Sequence, residues 1–550
     1  MLRFLFCAFV MITNLTQEDA HRLPDIPIGT VFEKRFSVET ANAKQALASK
    51  IVVAFESPSK KHKSVAAFWD GGNNWKVRFS PNELGVWSFH LESGAGTDID
   101  TKEASGAFTC VSYTGRNSIF VHGSIRLSAN RRYFEHSDGT PFLWLSDTAW
   151  NGPLKSDDEG WEKYLQDRAS KGFTTVQFVM TQWIAAATDA NGRRAYSVDG
   201  GLAVDPSFFA RMDAKIRRIN DYGMIAAPVL IWDGPLGNQP PSVNPGTSLS
   251  DEEIEELANY MVARYGAYQV IWILAGDGDY QGSHAERWKA IGRSVLGNAN
   301  DRLATIHPQG QQWVFEEFKD EPWFSFVGYQ SGHGDSIEDF KWLTEGPAMR
   351  DWKTPPLHPI INLEPNYEGH LSYQGRKPFD AHAVRRAAYW SLLAAPTAGV
   401  SYGAHGVWSW ETALAVPLNH SGTGLAKPWN EAIHLAGSQD MRYLRDFCES
   451  VKWWTLEPAS DILAEQPGKG NAAEFVSAAK SVSGNLFVLY LPAANAIKLN
   501  PGKLTPGAVA RWFDPAQGQW VESARVPASG ELRPPGQHDW VVWIGPAKTH

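Results

Sequence analysis

Residues 270–277 read Val270-Ile-Trp-Ile-Leu-Ala-Gly-Asp277, an apolar run that narrows through two small residues and stops on a carboxylate. A second stretch, Pro359-Ile-Ile-Asn-Leu-Glu364-Pro, stops in the same way. Short, nearly continuous apolar runs bounded by helical segments are the pattern of strands buried on both faces of a parallel sheet. In a closed parallel barrel, the C-terminal end of each strand delivers its side chain to the mouth. Both acids are therefore expected in one cleft.

On either side of these two runs the same rhythm recurs. Phe142-Leu-Trp-Leu145 leads to Asp147, Phe173 to Val179 leads to Gln182 and Trp183, and Met224 to Ile231 leads to Trp232 and Asp233. Leu303 to Ile306 leads to His307, Phe324 to Val327 leads to Gln330 and His333, and Gly399-Val-Ser401 leads to Tyr402 and His405. Helical spacing fills the intervals. Trp161, Tyr164, Leu165 and Ala169 precede Gly172, while Phe209, Met212, Ile216 and Ile219 precede Gly223. Ser250 and Glu253 match a capping box ahead of Ile254, Leu257, Ala258 and Met261. Eight strands alternating with helices between residues 125 and 445 predict a (β/α)8 TIM barrel. No glycine-rich phosphate loop follows the first strand, which leaves a doubly wound nucleotide fold without support.

The flanks change to period-two patterning. Residues 28–115 carry alternating runs around Ile51-Val-Val-Ala-Phe55, Trp75, Val77, Phe79 and Gly85-Val-Trp-Ser-Phe89, and predict an N-terminal β-sandwich. Trp75 or Trp87 there could meet a glycan, but alternation alone accounts for them as core. Residues 453–550 read the same way, through Asn485 to Tyr490, Ala510-Arg-Trp-Phe513 and Trp540 to Ile544, and predict a C-terminal β-sandwich.

At 550 residues with 43% hydrophobic content, the chain is long enough for three folded units and too apolar for disorder. A formal net charge of −9 without a long basic run argues against nucleic acid as a partner. Met1-Leu-Arg3 followed by the apolar run to Ile12 resembles a secretory signal over residues 1–20. The run is too short to span a bilayer, so the protein is expected to be secreted or periplasmic with no membrane span. Beyond Cys7, only Cys110 and Cys448 remain, enough for one bridge at most. The 24 Trp residues offer flat faces that stack on sugars as readily as they fill cores.

Asp277 ends the fourth predicted strand and Glu364 the seventh, so the two should face each other across the bore. A protonated acid opposite an ionised one is what cleavage of a glycosidic bond requires. Asp279 is the rival to Asp277. His307, His333 and His405 at strand ends make a metal-dependent hydrolase the less favoured reading, since His-x-His and His-Glu-x-x-His are both missing from the sequence. Cleft histidines more often bond substrate. Gly399-Val-Ser401-Tyr-Gly403 matches the nucleophile elbow of serine esterases, but Ala404 to Trp410 reads as an aromatic loop rather than a helix. A glycan-binding protein without catalysis would not need both acids.

Five segments together carry a family resemblance: Gly139-Thr-Pro-Phe-Leu-Trp-Leu-Ser-Asp147-Thr-Ala-Trp150, Ile271 to Asp277, Tyr329-Gln-Ser-Gly-His333, Asn362-Leu-Glu364-Pro-Asn-Tyr-Glu-Gly369 and Tyr402-Gly-Ala-His405. In that order they resemble the apiosidase-like glycoside hydrolases, and both flanking β-regions are similar to domains that accompany such barrels. The resemblance implies Asp277 as the proton donor and Glu364 as the nucleophile, with no cofactor or metal. It implies sugar contacts from Asp147, Gln182, Trp183, Gln330, His333, Tyr402 and His405, and Trp150, Trp232 and His307 are expected to bind substrate beside them. Ala275 departs from the usual Gly-Gly-Asp, a conservative change. The expected substrate is a plant or algal polysaccharide or oligosaccharide; apiose in branched pectin, other furanosides and marine polysaccharides stay open.

Overall fold

A computed structural model describes residues 23–40, 42–94, 105–234, 244–297, 302–521 and 523–547. The signal expected over residues 1–20 and the segment Asn238-Gln-Pro-Pro-Ser242 that follows Trp232-Asp233 in the sequence lie outside the described residues. Eight parallel strands form the centre: β1 (Trp144–Thr148), β2 (Thr175–Val179), β3 (Ile225–Trp232), β4 (Trp272–Gly278), β5 (Ala304–Pro308), β6 (Val327–Gln330), β7 (Ile360–Glu364) and β8 (Gly399–Gly403). Their spatial order is β5-β4-β3-β2-β1-β8-β7-β6, and helices return the chain between them. The (β/α)8 architecture is thus present, with β-rich regions on either side.

The ladder is open only between β5 and β6, and side chains bridge that seam. Thr305 Oγ1 donates to Phe326 O at 2.7 Å and accepts from Gly328 N at 3.0 Å, while Ser325 Oγ accepts from Ala304 N at 2.9 Å. Where β8 meets β1, a Cβ on Gly399 would lie 2.1 Å from Trp144 O, so only glycine allows the approach. Trp144, Phe134 and Phe326 pack on one another to plug the N-terminal end.

Two expected strands shift. Pro141–Phe142 pairs with Phe134–His136 in a separate small sheet, and Trp144 begins β1. Phe324 and Phe326 are buried beneath the barrel and β6 starts only at Val327. The capping box is formed: Ser250 Oγ accepts from Glu253 N, and the Glu253 carboxylate accepts from Ser250 N.

Before the barrel, a five-stranded and a three-stranded sheet enclose Phe32, Phe55, Phe79, Phe89 and Phe108. Trp75 and Trp87 belong to that core, 2% and 3% exposed, so neither meets a glycan. After the barrel, a sheet running from Leu456–Pro458 to Gln519–Trp520 turns Val488, Tyr490, Phe513 and Val541 toward the barrel. Its alternate residues Leu489, Leu491, Val542 and Ile544 fill a core of their own. Cys110 and Cys448 are both buried and free, so no bridge joins them. Among the described residues no helix is long and apolar enough to cross a membrane.

Candidate active site

The end of β4 is irregular because two glycines let neighbouring groups press on the backbone. A Cβ on Gly276 would meet the Trp232 ring at 2.7 Å, and one on Gly278 would meet Asp233 Oδ2 at 2.4 Å. The register against β5 slips on either side of Gly276, and Asp277 takes a left-handed backbone with φ +62°. A non-glycine residue held there is strained, and such strain gathers at functional sites. Asp277 Oδ1 accepts from Gln330 Nε2 at 2.7 Å; the same amide nitrogen donates to Pro308 O at 2.7 Å. Burial, then the Glu364 carboxylate, push the Asp277 pKa up to about 7.

Glu364 ends β7 directly beside Gln330 of β6. Its Oε1 lies 3.0 Å from His333 Nε2, and its Oε2 lies 3.4 Å from His307 Nε2. Tyr367 N donates to His333 Nδ1 at 3.4 Å, which leaves the His333 proton on Nε2, aimed at Glu364. Burial works against ionisation of Glu364, but the two imidazoles outweigh it and hold the carboxyl well below its ordinary range. One acid thus keeps its proton near neutrality while its neighbour is ionised, the division of roles that a glycosidase pair needs. Asn362 turns away to brace the strand, donating to Ser331 Oγ at 2.9 Å and Ser391 Oγ at 3.0 Å.

Trp150, Trp183 and Trp232 form one buried wall, with ring centroids 5.6 Å apart for Trp150 and Trp232 and 4.3 Å for Trp183 and Trp232. Trp150 also meets His307 edge-on at 5.4 Å, and the Trp183 indole donates to Asn151 Oδ1 at 2.6 Å. Six of the ten expected sugar-binding residues therefore gather round the acids: these three tryptophans with His307, Gln330 and His333.

Four do not. Asp147 faces the helix layer, where its Oδ2 accepts from Arg168 Nε at 2.7 Å and Tyr164 OH at 2.6 Å. Tyr402 faces the same layer and donates to Glu368 Oε2 at 2.6 Å. Successive strand residues point to opposite sides, and in β1 the inward positions go to Ser146 and Thr148, the latter accepting from Gln177 Nε2 inside the bore. Gln182 spends its amide on the backbone of Ala195 and Tyr196. His405 accepts from Trp408 Nε1 at 3.1 Å and faces Gly424 O at 3.1 Å, and burial drives its pKa down to about 4. Of the three strand-end histidines, His307 and His333 thus converge on Glu364, and His405 turns to other partners. Asp279 is held by the Gln312 amide, while Gln330 donates to Asp277. Ser401 lies inside the bore between Gln177 Oε1 and Trp144 Nε1, so it heads no nucleophile elbow.

Three aromatic residues near the acids escaped the sequence reading. Tyr367 has a buried hydroxyl without a hydrogen-bond partner, and its ring lies 4.5 Å from that of His333. Burial and then the Glu364 charge push its phenol far above the ordinary value. The His370 ring lies tilted 4.1 Å from that of His333, and Tyr373, 57% exposed, stands at the rim 5.8 Å from the same ring. Tyr367 lies three residues beyond Glu364, yet nothing in that spacing shows that the chain folds back over the carboxylate.

The family model "Apiosidase-like, catalytic domain" matches residues 128–455. A "Domain of unknown function" model matches residues 30–94, and "Putative collagen-binding domain of a collagenase" matches residues 458–544. No curated protein sequence matches the chain. A solved "Glycoside hydrolase" superposes with TM-score 0.67 at 20% identity, over 78% of this chain and 98% of its own. A glycoside hydrolase family 5 protein from Bacteroides vulgatus gives 0.66 at 21% identity, over 77% and 93%. Another Bacteroides vulgatus structure, described as a "putative glycoside hydrolase", gives 0.68 at 17% identity over 95% and 100%. Those identities speak for the fold. The first match is of another kind: with well over half of its residues inside that model, the chain belongs to the apiosidase-like family of glycoside hydrolases.

Proposed function

We propose that this chain is a secreted or periplasmic glycosidase that retains anomeric configuration, with Asp277 as acid and base and Glu364 as nucleophile. The observation that carries this reading is the convergence of two strand-end carboxyls at the barrel mouth, Asp277 held by Gln330 and Glu364 set between His333 and His307, surroundings that raise the pKa of the first to about 7 and lower that of the second. Gln330 occupies Asp277 Oδ1, so the acid proton rests on Oδ2. From there it passes to the leaving oxygen as Glu364 attacks the anomeric carbon, forming a glycosyl ester and breaking the glycosidic bond. Asp277, now ionised, takes a proton from water, whose oxygen displaces Glu364 and regenerates both groups. His307 and His333 keep Glu364 ionised; Trp150, Trp183 and Trp232 wall the sugar site, and Tyr373 offers a face at the rim. The buried, unpartnered Tyr367 hydroxyl and His307 Nδ1 suit a ligand rich in hydroxyl groups.

The substrate we favour is a plant or algal polysaccharide side chain, with apiose in branched pectin as one candidate. We assign residues 1–20 to the signal, 28–115 and 453–550 to the β-sandwiches and 125–445 to the catalytic barrel.

A screen of polysaccharides that includes branched pectin, read as released reducing sugar, tests the reading. Glu364→Gln keeps the side-chain volume and loses the charge, so turnover should fall by about a thousandfold or more with little change in melting temperature. Full activity in that variant would remove Glu364 from the mechanism. Binding of an oligosaccharide without release of any sugar by the parent protein would favour a glycan-binding role instead.

A further inference from the structure

Just past the end of β3, the neighbour of β4 on the side away from His307, a third carboxylate stands behind the acid. Asp233 follows Trp232, and its backbone N–H donates to Gly276 O at 2.9 Å. It is 4% exposed. Oδ2 accepts from Trp288 Nε1 at 2.8 Å and lies 2.7 Å from His284 Nε2, while Oδ1 is buried without a partner. Gly246 and Gly278 close around it so tightly that a Cβ on either would come within 2.5 and 2.4 Å of its oxygens. His284 and Trp288 are one turn apart on the helix Gly282–Leu296. The His284 side chain is 37% exposed and lies parallel to the Tyr280 ring, so a charge that solvent can titrate touches a buried one that touches the active site.

We propose that Asp233 and His284 form a positioning pair that adjusts, through its charge, the pH range over which Asp277 keeps its proton. This rests on reading Asp277 as the acid. With imidazolium on His284 the pair is neutral overall, and Asp277 feels little from that side. Loss of that proton leaves Asp233 uncompensated, and a like charge nearby disfavours ionisation of Asp277. The acid then holds its proton further into alkaline pH. The hydrogen bond to Asp233 raises the His284 pKa above its ordinary value. The other charges facing His284 are Arg287 on its own helix, bound to Asp251 at 2.6 Å, and Asp279 after β4, held by Gln312. Asp277 itself faces Glu364, His307 and Asp233, with the phenols of Tyr280 and Tyr373 nearby.

Infrared difference titration of the protonated carboxyl band, assigned by its loss in Asp277→Asn, reads the acid without any substrate. Asp233→Asn should move the Asp277 titration to lower pH, and His284→Gln should move it to higher pH, each on the order of one pH unit or less. A merely structural role would not give shifts of opposite sign, and His284→Lys, which restores a positive charge, should return the titration toward the parent. Shifts of the same sign, or none in variants that retain the parent's circular dichroism, would overturn the proposal. Should Asp233→Asn fail to fold, the half-exposed His284 variants decide it alone. Because no sugar is involved, an inactive parent protein would count against the glycosidase reading and leave this titration interpretable.

Discussion

Asp277 couples a strained backbone to a carboxyl whose proton is costly to lose. Its pKa near 7 lies above the value an unfolded aspartate has, about 3.9, so the folded state binds the proton more tightly. Stability from this group is therefore full at acid pH and is lost as pH rises through about 7. Asp277→Asn removes both the ionisation and its repulsion with Glu364. The variant should melt a few degrees above the parent at about pH 8 and close to it at about pH 4, where the parent carboxyl is protonated. A gap independent of pH in differential scanning calorimetry would contradict the assignment. Asp147 shows why such residues cannot be told apart by sequence alone. It ends an apolar run just as Asp277 does, but regular alternation turns it outward onto Arg168, whereas the slip at Gly276 and the left-handed φ break alternation at Asp277. Strand-end position was legible; the parity of the last residue was not, because one residue of register exchanges the two faces. Asp147→Asn should thus destabilise the protein by about 3 kcal/mol by leaving the fully buried Arg168 underpaired. KM should stay at the parent value, and a large rise in KM would restore Asp147 to the sugar site.

At the scale of elements, the eight runs and their intervening helices could be read because burial on both faces keeps most strand residues apolar, with only isolated polar ones such as Gln177, Thr305 and Asn362 between them. The seam could not. Phe324-Ser-Phe-Val327 has the composition of a strand, yet Phe324 and Phe326 serve the plug beneath the barrel and only four residues, Val327–Gln330, form β6. So short a strand cannot pair fully with β5, and Thr305 and Ser325 supply with side chains what the ladder lacks. A hydroxyl that both donates and accepts is needed at 305, since Phe326 O and Gly328 N–H are otherwise left buried without partners. Thr305→Val keeps the shape and deletes both bonds. It should lower the free energy of unfolding in urea by about 2 kcal/mol, the cost of unsatisfied buried polar groups. A neutral result would mean that the strands close without side-chain help.

Across the whole molecule, the flanking β-regions are tied to the barrel by buried charge as well as by apolar packing. Arg385 on the barrel helix Ala381–Leu393 donates to Asp539 at 2.7 and 3.0 Å and to Asp440 at 2.6 Å, fixing the C-terminal sheet. On the other side, Asp213 of the helix Pro206–Asp221 receives two forked guanidiniums at once. Arg78 comes from the N-terminal strand Asn74–Phe79 at 2.7 and 3.1 Å, and Arg264 from the helix Asp251–Tyr265 with two bonds of 2.7 Å. Residues 78, 213 and 264 are far apart in sequence and carry no pattern there, so neither clamp could be read before folding brought them together. Burial opposes ionisation of Asp213, but the two arginines prevail and lower its pKa. A lowered folded pKa gives stability that is present above the unfolded value, about 3.9, and is lost as pH falls through the folded one. Asp213→Asn leaves two arginines facing a neutral amide, which should destabilise the protein by about 3 to 5 kcal/mol near pH 7. The deficit should shrink toward acid pH, as the parent loses the same charge, and limited proteolysis near neutrality should release the N-terminal β-region first. If calorimetry instead finds the same deficit at every pH, the loss is one of packing, and the clamp does not hold that region by charge.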